Sequence, residues 1–82
     1  MDYLIKNYIQ NITITDFNNL LKSKGINTND NDLHTLFYYL KNKWEDLYKG
    51  NSTEIINELE KKLESNTFIK LKKLYLEYKN KF

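Results

Sequence analysis

Apolar residues recur along this chain at steps of three and four. No strand-length run alternates apolar with polar without fitting a helix better. The longest recurrence lies between Asn29 and Gly50, where Leu33, Leu36, Phe37, Leu40, Trp44, Leu47 and Tyr48 follow one another at helical spacing. At ~100° per residue these side chains span roughly 120°, the arc of a helix lying on a core. The segment would reach about 30 Å, the width of a small domain. It therefore predicts a central helix on which every other segment packs.

The flanking segments read the same way. Leu4, Ile5, Tyr8, Ile9 and Ile12 share one face of a short first helix over residues 2–12. A second helix follows Thr13, whose hydroxyl is placed to accept from the Asp16 N–H, with Asp16 adding negative charge in the first turn. Ile12 and Phe17 stand at the two positions of a hydrophobic staple. Ile14, Phe17, Leu20 and Leu21 are its expected inner face. Gly25 can take the left-handed conformation that closes it, and Ile26 is expected to anchor the turn that follows. The polar run Asn27 to Asp32 supplies the start of the third helix, with Thr28 or Asn29 as cap and acids in the first turn. Gly50 ends that helix, after Lys49 in its last turn. Asn51 and Glu54 have capping-box spacing for a fourth helix with Ile55, Ile56, Leu59 and Leu63 inward. Glu58 and Lys62 form an i,i+4 pair on its outer side. Ser65 or Asn66 is expected to cap a fifth helix, with Phe68, Leu71, Leu74, Tyr75, Tyr78 and Phe82 inward. The expectation is an all-α fold: a compact single-domain bundle of five helices, spanning residues 1–82, around the long third helix with Trp44 in its core.

Composition narrows this picture. At 82 residues there is room for one domain and one core. Cysteine is absent, so neither a disulfide framework nor a thiol nucleophile is available. No apolar run approaches the ~20 residues of a membrane span, and Met1 to Lys6 lacks the features of a signal peptide. The expected location is the cytoplasm, with no membrane partner. Net charge is +2 and the pI near 8.7, below the strongly basic range of nucleic-acid modules. Every basic residue is Lys, while Arg, Ala, Val and Pro are missing. That bias fits an AT-rich genome, so a lysine or asparagine here is weak evidence of selection for function.

Several patterns bear a resemblance. The run Ile12-Thr13-x-x-Asp16-Phe17-x-x-Leu20-Leu21-Lys22-x-x-x-Ile26 resembles the start of the YqfT-like family, short helical proteins of Bacillota. Leu40-x-x-Lys43, Ile55-Ile56-x-x-Leu59, Asn66-Thr67 and Leu74-Tyr75-x-x-Tyr78 are similar to its later part. The resemblance covers roughly residues 10 to 80, in caps and core apolars. The chain departs from it in carrying Trp44 and in lacking a Pro after Ser65. It implies the helical fold and a bacterial cytoplasmic source. The family is a domain of unknown function, so no site carries over.

Candidate chemistry is sparse. His34 is the only imidazole, with Asp30 four before it and Tyr38 four after. Zinc usually needs three or four protein ligands, and no second His or Cys exists, so the bland reading is a surface histidine near Tyr38. Asn27 to Asp32 is rich in oxygen ligands, but neither start at Asn27 or at Asp30 puts Gly at position six and Glu at twelve, as a calcium loop requires. Glu45, Asp46, Glu54, Glu58, Glu60 and Glu64 lie mainly on outward faces among lysines. The serines at 23, 52 and 65 have no nearby base in sequence. No enzyme activity and no cofactor or metal is expected. Helices two and three, with Gly25 between them, could be read as a helix-turn-helix. The outward face of helix three, however, carries His34, Thr35, Tyr38, Tyr39, Lys41, Asn42, Glu45 and Asp46, which is close to neutral and has no Arg to read guanine.

The fifth helix is the better candidate surface. Lys70, Lys72, Lys73, Lys79 and Lys81 face the single acid Glu77. Ile69 and Leu76, seven apart, fall opposite the expected core face, and two exposed apolars amid lysines suit a partner. The expected partner-binding residues are Ile69, Leu76, Lys72, Lys73 and Lys79. The expected function is that of a small non-catalytic protein-interaction module from a bacterial or mobile-element source. The alternative is a weak nucleic-acid binder using the lysines of this helix. The bland alternative is codon bias, or a helix buried on two sides.

Overall fold

A computed structural model describes the backbone of residues 2–48, 50 and 52–81, and the side chains of these except Asp2, Tyr48 and residues 78–81. Among the described residues there are five helices and no strand: α1 (Asp2–Asn11), α2 (Ile14–Ser23), α3 (Asp30–Tyr48), α4 (Thr53–Lys62) and α5 (Ser65–Lys81). The fold is all-α, as the periodicity implies. The radius of gyration is 12.1 Å, against about 12 Å for a folded domain of this length.

Local chemistry sets the helix ends. Thr13 Oγ1 accepts from Asp16 N–H at 3.1 Å, and Asp16 Oδ2 accepts from Thr13 N–H at 3.5 Å, which completes a capping box at the start of α2. Ile12 and Phe17 beside it are both buried, as a staple requires. At the other end, Gly25 donates to the Lys22 carbonyl and Ile26 to the Leu21 carbonyl, each at 2.9 Å. Gly25 has φ +80°. This is a Schellman closure, and its usual apolar contact is supplied by Leu21 and Ile26, the latter only 1% exposed. α3 starts at Asn29, whose Oδ1 accepts from Asp32 N–H at 2.7 Å. Thr28, the other cap candidate, has a buried Oγ1 with no partner among the described residues.

Among the remaining ends, the start of α5 departs from expectation. Gly50 follows α3, as expected, and donates to the Asp46 carbonyl at 3.2 Å. α4 begins after Ser52, whose side chain makes no capping bond; Asn51, the expected cap, and Lys49 lie outside the described residues. α5 is capped by neither Ser65 nor Asn66. Glu64 precedes its first turn and its carbonyl takes the first helical bond, from Phe68 N–H at 2.9 Å. The Glu64 N–H is taken at 3.0 Å by Asp32 Oδ2, from the first turn of α3. Asn29 Nδ2 donates to Glu64 Oε1 at 2.7 Å. An acid expected only to complement the α3 dipole is thus 2% exposed and tethers a second helix.

α3 is central. α1, α2 and α4 pack on it, while α5 packs chiefly on α4. The core joins Phe17, Leu21, Ile26, Leu33, Leu36, Tyr39, Ile55, Leu59, Leu63 and Phe68. Trp44 is buried at 9% exposure. α5 is joined to the far end of α3 by Tyr75, whose hydroxyl donates to the Leu47 carbonyl at 2.9 Å. Tyr48, Tyr78 and Phe82, also expected inward, lie outside the described side chains.

The inner faces are narrower or wider than one-helix periodicity implies. On α1, Ile9 and Ile12 are buried, but Leu4 and Tyr8 are exposed, because α3 is the neighbour this helix packs on and covers only part of its apolar arc. Leu20 is exposed on α2 for the same reason. α3 is flanked on two sides, so its buried arc is wider and takes in Tyr39, at 4% exposure, which periodicity placed outward. Lys41, also placed outward, is half-buried. Its ammonium donates to the Ile9 carbonyl at 2.7 Å and the Gln10 carbonyl at 3.0 Å, closing the C-terminus of α1.

Candidate functional site

α5 presents two faces. Phe68 is buried and Leu71, Leu74 and Tyr75 are half-buried on one side. On the opposite side Ile69 is 63% and Leu76 45% exposed. At ~100° per residue Leu76 falls about 20° from Ile69, while Lys72 and Lys73 fall some 40–60° to either side. Both lysines are exposed, as are Lys70 and Glu77. The result is an apolar ridge two turns long with an ammonium group on each flank. Lys79 lies outside the described side chains.

A second cluster forms where α3 meets α4. Asn31, His34, Thr35, Tyr38, Tyr39 and Lys62 line a shallow groove of about 390 Å³. The Tyr39 hydroxyl donates to Glu58 Oε2 at 2.7 Å and accepts from Lys62 Nζ at 3.1 Å. Glu58 and Lys62 therefore meet at a tyrosine oxygen of the neighbouring helix, not simply as an outer i,i+4 pair. The bond that Lys62 donates to the Tyr39 oxygen and, less strongly, the charge of Glu58 favour the ammonium form, so the Lys62 pKa is raised. The Tyr38 ring stands edge-on to Tyr39, at 5.7 Å between centroids. His34 is exposed, and its Nδ1 lies 2.7 Å from the Asp30 backbone carbonyl, not from the Asp30 carboxylate. A carbonyl only accepts, so Nδ1 carries the proton and Nε2 faces out. With Glu58 beside Lys62, the groove holds balanced charge at its one lysine.

Among the described residues no three His, Asp or Glu side chains converge as a metal would need. No described helix is long and apolar enough to cross a membrane. Protein-family models, curated proteins and solved structures return no match to this chain.

A third feature was not legible in the pattern. Between α1 and α2 lies an open groove of about 420 Å³, lined by Leu4, Asn7, Tyr8, Asn11, Ile12 and Asp16. Periodicity assigned Leu4 and Tyr8 to the core, so a face that α1 leaves uncovered could not be read from it. Asp16 is the one charged residue in that lining.

Proposed function

We propose that the chain is a small non-catalytic protein-interaction module, acting in a bacterial cytoplasm, whose docking face is the outer side of α5. The observation that carries this is the exposure of Ile69 and Leu76 on a helix whose other side already covers the core. A helix with a second apolar stripe normally buries it against something. The flanking lysines favour a partner that is apolar at the centre and acidic at its rim. The resemblance to the YqfT-like family agrees with such a small helical protein and offers no chemistry against it.

The test is the paired change Ile69→Lys with Leu76→Lys, read in two measurements. Stability in denaturant should stay within roughly 0.5–1 kcal/mol of the parent, since both side chains are wet. Photo-crosslinking from position 72 in the source cell should capture a partner with the parent chain and lose it with the double variant. A double variant that unfolds, or that keeps its partner, removes the proposal. The lysines also support a second reading, a weak nucleic-acid binder. That reading requires affinity for duplex or single-stranded DNA or RNA to fall steeply with salt, because each neutralised phosphate releases counterions.

A further inference from the structure

The partner that the α5 ridge calls for offers exposed apolar side chains with an acid beside them, and the chain carries such a groove. The α1–α2 groove has Leu4, Tyr8 and Ile12 as its apolar lining and the Asp16 carboxylate as its charge. Asp16 is held in place by the capping box but remains exposed, and its bond from Thr13 is long at 3.5 Å. Leu4 and Tyr8 stand in solvent one turn apart, on the same strip of α1. The ridge offers two apolar knobs, and the open groove offers the exposed Leu4 and Tyr8 side chains beside the amides of Asn7 and Asn11. The ridge carries Lys72 and Lys73, and the groove carries the opposite charge.

We propose that the chain self-associates head to tail, the Lys-flanked Ile69–Leu76 ridge of one molecule seating in the α1–α2 groove of the next. This rests on the reading of α5 as a docking face and names its occupant. The two halves are different surfaces of one chain, so the contact is heterologous: it grows an open chain of subunits unless the rotation closes a ring. A handful of side chains on each half falls well short of the ~800 Å² per partner of a standard interface. The association is therefore weak, with a dissociation constant on the order of 0.1–1 mM.

Analytical ultracentrifugation of the full chain tests this. The weight-average mass should climb with concentration into the millimolar range, and climb less at high salt, where the lysine–Asp16 attraction is screened. Ile69→Lys with Leu76→Lys removes the ridge; Leu4→Ser with Tyr8→Ser removes the groove, both at exposed positions. Each variant alone should stay monomeric, with circular dichroism showing that it is folded. An equimolar mixture should form a one-to-one dimer and nothing larger, because each variant keeps the half the other lacks. If the groove pair disturbs folding, Tyr8→Lys alone serves in its place and should weaken association about tenfold. A parent chain that remains monomeric at millimolar concentration overturns the proposal. So does a mixture that gains no mass, or a single-face variant that still dimerises. Should the parent be monomeric while the ridge variant loses a crosslinked partner in cells, self-association fails and the docking face stands. Should the ridge variant keep both its partner and its self-association, the docking face itself fails.

Discussion

Asp32 shows what a single side chain does that its position in sequence does not announce. In the first turn of α3 a carboxylate is favoured by the helix dipole, and that would be enough to explain it. Its Oδ2 also accepts the Glu64 N–H at 3.0 Å, so one acid serves the starts of two helices from a site that is 2% exposed. The first N–H groups of a helix have no partner inside it, and α5 borrows one from α3. Asp32→Ala leaves that donor without its acceptor and should cost about 1–3 kcal/mol in denaturant melts. Asp32→Asn retains an acceptor oxygen and should cost clearly less. Equal losses in the two variants would show that the buried charge, not the bond to Glu64, is what matters. Lys41 and Tyr39 belong to the same class of residue. Each reads as surface from spacing alone, and each binds a group more than fifteen residues away.

At the scale of elements, the clearest unit is α2 with its two closures. The capping box at Thr13 and Asp16 and the Schellman turn at Gly25 are both local, formed by residues within five positions of one another. Gly25 holds φ +80°, and an added Cβ there would meet nothing within 4 Å. Gly25→Ala should therefore lose only the cost of a left-handed L-residue, roughly 1–2 kcal/mol. A synthetic chain with D-alanine at position 25, for which φ +80° is the favoured region, should lose clearly less, as thermal melting will show. A loss with D-alanine as large as with L-alanine would mean that the turn is set by packing around Gly25 and not by its backbone. α1 and α5 expose more of their apolar faces than α2, which leaves out Leu20 alone. Each is amphipathic, yet each leaves part of its apolar surface in water, α1 at Leu4 and Tyr8 and α5 at Ile69 and Leu76.

At the scale of the whole molecule, three helices pack on α3 and the fifth rests on α4. A domain of this length is worth only about 4–12 kcal/mol in total. Trp44 is its largest side chain and is buried. Trp44→Ala should cost ~3–5 kcal/mol, enough to leave a large share of molecules unfolded. A loss within about 0.5 kcal/mol would show that the ring contributes nothing to the core. The sequence by itself determined the five helices, their order, the Thr13 cap, the Gly25 closure, the seat of Ile26 and the outward set of Ile69 and Leu76. All of these follow from residues within a few positions of each other, where spacing and backbone preference act directly. Only the tertiary structure decided how wide a strip each helix buries. Neighbours cover α3 on two sides, so Tyr39 goes in; α1 packs on one neighbour, so Leu4 and Tyr8 stay out. It also decided which distant groups meet, as Asp32 meets Glu64 and Lys41 meets the end of α1. The physical reason is that a helical period reports the direction a side chain takes from its own axis, while burial depends on which other helices stand in that direction.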